Sequence, residues 1–433
     1  MRTLCHDLTA ATPGTEVVLE GWVHRRRELA RVTFLVVRDR SGLAQVVLPA
    51  GSTVPPEETT VRVTGTATAN AQAPGGVEVT SAVVEALTDD ALTPPAELWR
   101  PALDVSLPTL LDHAPVLWRH PAQRARWELA AASLRGFRST LDGLGFTEIA
   151  TPKLVGSATE SGSSVFEVDY FGRPAYLAQS PQFYKQQMVG VFERVYEVGP
   201  VFRAEPHDTV RHLAEYRSLD VELGFVRDHR DVLAVLREVL AGMVAAVTER
   251  EDAVVRTGAR VPLVPDEIPV IHFADALALV GAPADEPDLA PEHERALGAW
   301  ALAEHGSDFV AVEGYPMAKR PFYTHPWSRD GAGAPPRPTE PARWSNSFDL
   351  LFRGLELVTG GQRLHRPGDY EQALRARGED PETQAAYLQA FRHGMPPHGG
   401  FAIGLERWVG RLVEAANVRE VTPFPRDLHR LAP

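Results

Sequence analysis

Residues 194–223 read RVYEVGPVFRAEPHDTVRHLAEYRSLDVEL, and the fold turns on how this stretch is taken. It reads as two β-strands joined by a charged loop, with Arg203 and Glu205 on the outgoing strand and Tyr216 on the returning one. Taken alone, an arginine in an exposed hairpin is an ordinary solvated residue. Its weight depends on what surrounds it in the chain.

Working outward, apolar β-type runs return at SFDLLFRGLELVTGG (347–361) and in the terminal GFAIGLERWVGRL (400–412). On the other side, Pro121 suits a helix first turn, and Leu134, Phe137, Leu141 and Leu144 recur at helical spacing until Gly143 and Gly145 stop the element. FTEIATPKLV (146–155) looks like a strand. Residues 231–250 form an amphipathic helix, with Leu233, Leu236, Leu240, Met243 and Val247 on one face. The polar, Pro-rich segments 252–300 and 326–342 read as surface excursions. Strands and helices mixed without strict alternation predict an α+β domain with a largely antiparallel sheet. No Gly-x-x-x-x-Gly-Lys loop is present, which disfavours nucleotide handling by a P-loop.

The N-terminal part follows another pattern. From Glu16 to Leu87, alternating segments such as VTFLVVRD, LAQVVLP and VRVTGTAT are separated by Ser-Gly, Pro-Pro and Pro-Gly-Gly breaks. Such short strands suggest a small barrel of the OB-fold kind, with a β-sandwich as the alternative. Prolines 94, 95, 101, 108 and 115 then mark a hinge. The expected division is a barrel over 1–88, a linker over 89–120 and a larger domain over 121–433.

Composition narrows the function classes. The 433-residue chain is 44% hydrophobic and 23% charged, no apolar run is long enough for a membrane span, and a formal charge of −13 disfavours nonspecific coating of nucleic acid. The first residues, MRTLCHDLTA, lack the apolar core of a secretory peptide, and the single Cys5 cannot form an internal disulfide, so a cytoplasmic protein is expected. Against this acidic background, Arg25, Arg26, Arg27, Arg31, Arg38 and Arg40 crowd one stretch with only Glu28 and Asp39. A polyanion should land there. Lysine occurs only at positions 153, 185 and 319, so each merits a role.

The hairpin of residues 194–223 resembles motif 2 of the class II aminoacyl-tRNA synthetases, HGGFAIGLERWVGR (398–411) resembles motif 3, and GFTEIATPKL around Pro152 resembles motif 1, the dimer-forming element of that family. The resemblance implies that ATP and an amino acid react to an adenylate and pyrophosphate. Arg203 would grip the α-phosphate as a carboxylate attacks it, Glu205 would accept the adenine amino group, Tyr216 would stack, and Arg407 would hold the γ-phosphate or adenine. Arg211, His212, Leu213, Glu356 and Gly404 complete the implied ATP site. Ala402 stands where the family pattern has the middle glycine of Gly-x-Gly-x-Gly.

Other residues bear on the amino acid. QSPQFYKQQ (179–187) and GGQR (360–363) resemble segments of the aspartyl members, which implies Gln182, Lys185 and Arg363 on L-aspartate, Asp220 orienting these cations, and Glu160, in the lid-like loop SATESGSS, on the ammonium. Two cations facing one carboxylate would reject the neutral amide of asparagine. Glu356 and Thr359 lie where the archaeal-type enzymes hold Mg2+, with a threonine hydroxyl in place of serine. The histidines show no zinc spacing.

GWVHRRREL (21–29) and VTFLVVRDRSGLAQVVL (32–48) resemble the anticodon-binding barrel of the aspartyl, asparaginyl and lysyl subgroup, which implies Phe34 stacking on a base, Gln45 reading its edge, and Arg26, Arg27 and Glu78 beside them. Phe34 as ordinary barrel core is the competing reading. His24 and Gln72 replace the Trp and Lys of archaeal-type enzymes restricted to tRNA(Asp), which implies charging of tRNA(Asn) as well. The resemblance to motif 1 implies a homodimer, and no membrane or DNA partner is expected. A strictly tRNA(Asp) enzyme, an asparaginyl enzyme, an ammonia-dependent asparagine synthetase and a nonenzymatic RNA-binding paralogue remain the alternatives.

Overall fold

The computed structural model describes residues 2–156, 165–206, 208–327 and 343–432. They form two compact units, residues 1–124 and 125–433. In the first, strands β1 (Glu16–Glu28), β2 (Val32–Arg38), β3 (Leu43–Pro49), β4 (Thr60–Ala69) and β5 (Val77–Ala86) close a barrel in the order β1-β2-β3-β5-β4. Alternation explains the closure. Val17, Leu19, Leu35, Val37, Val46, Val63 and Val79 point inward and are buried, while their neighbours face out. Cys5 joins this core, and burial pushes its thiol up to about 12. Among the prolines that follow, Leu98, Leu110 and Leu117 gather around the short helices Leu107–Asp112 and Ala114–Leu117. The hinge-like composition therefore conceals a small apolar cluster.

The second unit is built on an eight-stranded sheet made of β6 (Thr147–Glu148), β7 (Arg194–Phe202), β8 (Glu215–Gly224), β9 (Val270–His272), β10 (Phe309–Glu313), β11 (Ser347–Phe352), β12 (Glu356–Gln362) and β13 (His398–Gly404). Their order is β9-β10-β11-β12-β13-β8-β7-β6. The six inner strands run antiparallel, and only the edge strands β6 and β9 lie parallel to their neighbours. The helix Pro121–Gly143 (α1) begins and ends where Pro121 and Gly143 suggest. It packs Leu129, Phe137 and Leu141 into one core with Leu236, Leu240 and Met243 of α3 (His229–Thr248), whose start is capped by the Asp228 carboxylate accepting from Arg230 N–H. Each such buried side chain contributes about 1.5–3 kcal/mol. Three more helices position the site: α2 (Gln182–Phe192), α4 (Pro291–His305) and α5 (Leu405–Leu412).

Two expectations need correction. Residues 252–300 are not a surface excursion: they supply β9 and α4, and Phe273, Leu277 and Leu297 are buried in a satellite core. Short helices with proline at their first turn, such as Pro291 in α4, made folded chain look like loop. FTEIATPKLV is not one strand either. Around Pro152 it divides between β6 and the short strand Leu154–Val155 of a separate three-stranded sheet, while Thr151 and Lys153 both bind the Glu197 carboxylate of β7, at 2.7 and 2.6 Å. Most of 326–342 lies outside the described residues.

Candidate active site

The β7–β8 hairpin forms as expected, with Val201 opposite Tyr216. Strand β7 ends at Phe202, so Arg203 and Glu205 fall just beyond it, although Arg203 N–H still donates to Ala214 O at 2.9 Å. A cavity of about 170 Å3 opens above this end of the sheet. Arg203, Glu205 and Tyr216 line it from the hairpin, and Arg211, His212 and Leu213 from the connecting loop. Glu356 and Thr359 of β12, Gly404 and Arg407 complete the wall. Every residue assigned above to ATP thus borders a single cavity.

Its geometry suits a polyanion attached to a flat ring. The Arg203 guanidinium carbon stands 5.6 Å from the Tyr216 ring centre, Arg407 Nη1 donates to Glu356 O at 3.1 Å, and Arg211 Nη1 lies 3.7 Å from Glu294 Oε2. Glu294 in turn accepts from Glu356 N–H at 3.0 Å, which fixes the start of β12. Sequence reasoning overlooked Glu406. Its carboxyl accepts Arg217 N–H at 3.0 and 3.1 Å, joining α5 to β8, and burial raises it to about 7.

Next to the cavity wall, beneath Ser218, lies a buried cluster of charged side chains, which we call the recess. Lys185, in the first turn of α2 and 1% exposed, puts Nζ 2.9 Å from Asp220 Oδ1 and 3.4 Å from Glu222 Oε2. Arg363 Nε reaches Glu222 Oε1 at 3.1 Å. Asp220 therefore orients Lys185 alone, and Glu222, which the sequence reading passed over, is the carboxylate that holds both cations. Burial pushes the Glu222 carboxyl up, but Arg363 and then Lys185 outweigh it and hold it below the usual range. A Cβ on Gly400 would stand 2.1 Å from both Glu222 Oε2 and Val221 O, so this glycine of motif 3 makes room for the neighbouring strand and its carboxylate rather than for a nucleotide. Ser218 Oγ donates to Asp220 Oδ2 at 2.5 Å and also borders the cavity, linking the two compartments.

Gln182 begins α2, buried, with its Nε2 unpaired among the described residues. His398 lies under Arg363 and is neutral in the fold: burial lowers it to about 4, Nδ1 donates to Pro396 O at 2.9 Å, and Nε2 accepts from Gln186 at 3.2 Å. Glu160 and its loop lie outside the described residues. Glu356 and Thr359 place a carboxylate and a hydroxyl 3.4 Å apart on the cavity wall, hard oxygen donors of the kind Mg2+ takes. Among the described residues no group of three or more His, Cys, Asp and Glu is placed to hold a metal by itself.

On the barrel, Phe34 lies on the outward face of β2, half-buried and outside the barrel core. Beside it, Val36 pairs with Gln45, and Gln45 Nε2 donates to Glu78 Oε2 at 2.9 Å. Arg26 and Arg27 are exposed. His24 behaves differently. A β-bulge between Val23 and Arg25 turns it inward, 5% exposed, with Nδ1 3.1 Å from Arg38 Nη1. Arg38 is itself buried in a two-pronged bond to Glu58, at 2.8 Å on each prong, so it leaves the basic surface expected from the sequence. Burial, then Arg38, lowers His24 to about 4. Gln72 is exposed in the turn before β5.

A family profile described as tRNA synthetases class II (D, K and N) matches residues 107–428, and one described as an OB-fold nucleic acid binding domain matches residues 17–85. The chain is 48% identical to the aspartate–tRNA(Asp/Asn) ligase of Thermus thermophilus, over all of both chains. It is 45% identical to the enzyme of the same name from Deinococcus radiodurans, over 100% of this chain and 99% of that one. Among solved structures, asparaginyl-tRNA synthetase from Pyrococcus horikoshii complexed with asparaginyl-adenylate superposes with a TM-score of 0.88, at 27% identity and full coverage of both chains.

Proposed function

The chain belongs to the class II tRNA synthetases of the D, K and N group, and from that premise we propose that it joins L-aspartate to tRNA(Asp) and also to tRNA(Asn) through an aspartyl-adenylate. One observation carries the choice of aspartate. Lys185 and Arg363 share the buried Glu222 carboxylate, and Ser218, which borders the cavity lined by Arg203, donates to Asp220 beside Lys185.

In this reading the side-chain carboxylate of aspartate sits against Lys185 and Arg363, whose positions Asp220 and Glu222 set beforehand. Asparagine would turn an amide N–H donor toward two cations that can themselves only donate. The α-carboxylate is then directed at the α-phosphate, where Arg203 balances the charge that builds in the transition state. Tyr216 and Glu205 hold adenine, while Arg211, His212 and Arg407 hold the polyphosphate. Glu356 and Thr359 would hold Mg2+, which when bound neutralises phosphate charge. Gln182 and Glu160 contact aspartate.

For the tRNA, Phe34 stacks on an anticodon base while Gln45, kept in place by Glu78, reads an edge, and Arg26 and Arg27 meet the backbone. His24 is buried, so any influence on the choice between tRNAs passes through the Arg38–Glu58 pair it touches, whereas exposed Gln72 can meet the nucleic acid directly. The enzyme works as a homodimer joined around Pro152, in the cytoplasm. Among the described residues no helix is long and apolar enough to cross a membrane.

The test is aminoacylation of tRNA(Asp) and tRNA(Asn) transcripts with labelled aspartate and, separately, asparagine. Both tRNAs should accept aspartate and neither asparagine. Charging of tRNA(Asp) alone would remove the role given to His24 and Gln72, and charging with asparagine would overturn the recess assignment.

A further inference from the structure

A second cavity, of about 350 Å3, adjoins the first, and Arg211, Glu406, Arg407 and Val418 border both. Two more arginines line it, Arg295 from the exposed side of α4 and Arg411 from α5. Four arginines from three separate segments thus surround one small space. Of their charges, Arg211 is offset by Glu294 at 3.7 Å and Arg407 by Glu356 at 3.7 Å. Arg295 and Arg411 have no ion pair among the described residues. Arg411 Nε is also buried there without a hydrogen-bond partner.

The surroundings of Arg411 work against its charge. Burial lowers its affinity for its proton, Arg353 and Arg211 lower it further, and Glu294 and Glu414 only partly compensate. Arg407 and Arg411 also stand four residues apart on one short helix, where like charges disfavour the helical state. Crowded, partly buried cations in this arrangement are stabilised by an anion from outside the chain.

We propose that this second cavity is a pyrophosphate-binding annex, which receives the leaving group of the activation step. The inference rests on the adenylate-forming reading above. In that step an aspartate carboxylate oxygen forms a bond to the α-phosphorus, the bond from that phosphorus to the bridging oxygen breaks, and the bridging oxygen leaves with the electron pair as part of pyrophosphate. Arg211 and Arg407 meet the outer phosphates in the first cavity and also border the second. The product therefore passes between sites without losing their contact, and Arg295 and Arg411 complete its charge neutralisation.

The test is calorimetric titration of inorganic pyrophosphate, with Mg2+, into the full chain already loaded with the sulfamoyl analogue of aspartyl-adenylate. This analogue occupies the adenine, α-phosphate and aspartate positions and cannot react, and the outer-phosphate part of the first cavity stays open. Arg295 and Arg411 border the second cavity and not the first, so their variants report the annex. Wild-type protein is expected to bind one pyrophosphate, and Arg295→Gln and Arg411→Gln are each expected to weaken the Kd about tenfold, with Arg411→Lys intermediate. Heat of analogue binding in each variant reports whether it is folded. No pyrophosphate binding by the wild type, or an unchanged Kd in both Gln variants, overturns the annex. Aspartate-dependent exchange of labelled pyrophosphate into ATP, run on the same wild-type sample, separates the two levels: normal exchange with unchanged Kd values rejects the annex alone, whereas no exchange rejects the enzyme reading and the annex with it.

Discussion

At the scale of single residues, two carboxylates that the sequence reading passed over shape the site. Glu222 is fully buried between Lys185 and Arg363, so neither cation can be removed without leaving charge uncompensated. Lys185→Met should lower kcat/KM for aspartate in pyrophosphate exchange by about 10^3-fold or more, with no gain for asparagine. A loss smaller than tenfold would mean that Lys185 does not meet the substrate. Arg203→Gln should cost about 10^2–10^3 in the rate of adenylate formation, read in a single turnover, while leaving aspartate affinity nearly intact. Glu406 supplies a pH test. Burial raises its carboxyl from an ordinary 4.5 to about 7, so the stability it contributes is present below about 4.5 and is lost as pH rises through about 7. Glu406→Gln keeps an acceptor for Arg217 N–H and removes that loss. Its urea midpoint relative to wild type should improve from pH 5 to pH 8 by the equivalent of about 2 kcal/mol, and an equal offset at both pH values would contradict the assignment.

At the scale of elements, the loop between β7 and β8 carries Arg211, His212 and Leu213, and its place depends on a residue far along the chain. Arg419, 7% exposed, reaches Asp208 Oδ1 at 2.7 Å and Thr209 O at 3.1 Å from its terminal nitrogens, and Asp427 Oδ2 at 2.5 Å from Nε. Ala214 N–H adds a bond to Arg426 O at 2.8 Å. One guanidinium thereby ties the nucleotide-facing loop to the C-terminal segment. Arg419→Ala should destabilise the protein by about 3 kcal/mol and raise KM for ATP well beyond KM for aspartate. Equal changes in the two KM values would show a general loss of fold instead. The same reasoning explains which elements were readable. The ends of α1 were written in Pro121 and Gly143, whereas β9 and α4 were hidden by a proline-rich composition that suits a helix start as well as a loop.

At the scale of the whole molecule, the proposed adenylate chemistry lies in the unit matched by the synthetase profile and the proposed anticodon reading in the OB-fold nucleic acid binding unit, so their readouts should separate. Phe34→Ala removes a stacking platform worth about 1–3 kcal/mol and is expected to raise KM for tRNA about tenfold while tRNA-independent pyrophosphate exchange is unaffected. A parallel fall in both would show that Phe34 supports the barrel instead of binding RNA. Its outward, half-buried position on β2 favours the binding role.

By itself the sequence determined the barrel, the central hairpin, the helices α1 and α3 and much of the cavity. Strand alternation marked the barrel, the hairpin around Arg203 set the sheet, and Arg203, Glu205, Tyr216, Glu356 and Arg407 were identifiable because each lies in a short contiguous motif. The tertiary structure alone decided what those motifs face. Glu222 sits in an apolar strand pattern, and only the pairing of β8 with β13, opposite Gly400, opens space for its carboxylate beside Arg363. Likewise the bulge at His24 reverses the face its neighbours imply, and Arg38 leaves the basic surface for Glu58. Periodicity along one strand states which side a residue takes, but the partner across the sheet comes from a segment distant in sequence, and the burial that fixes charge and protonation arises only when the two meet.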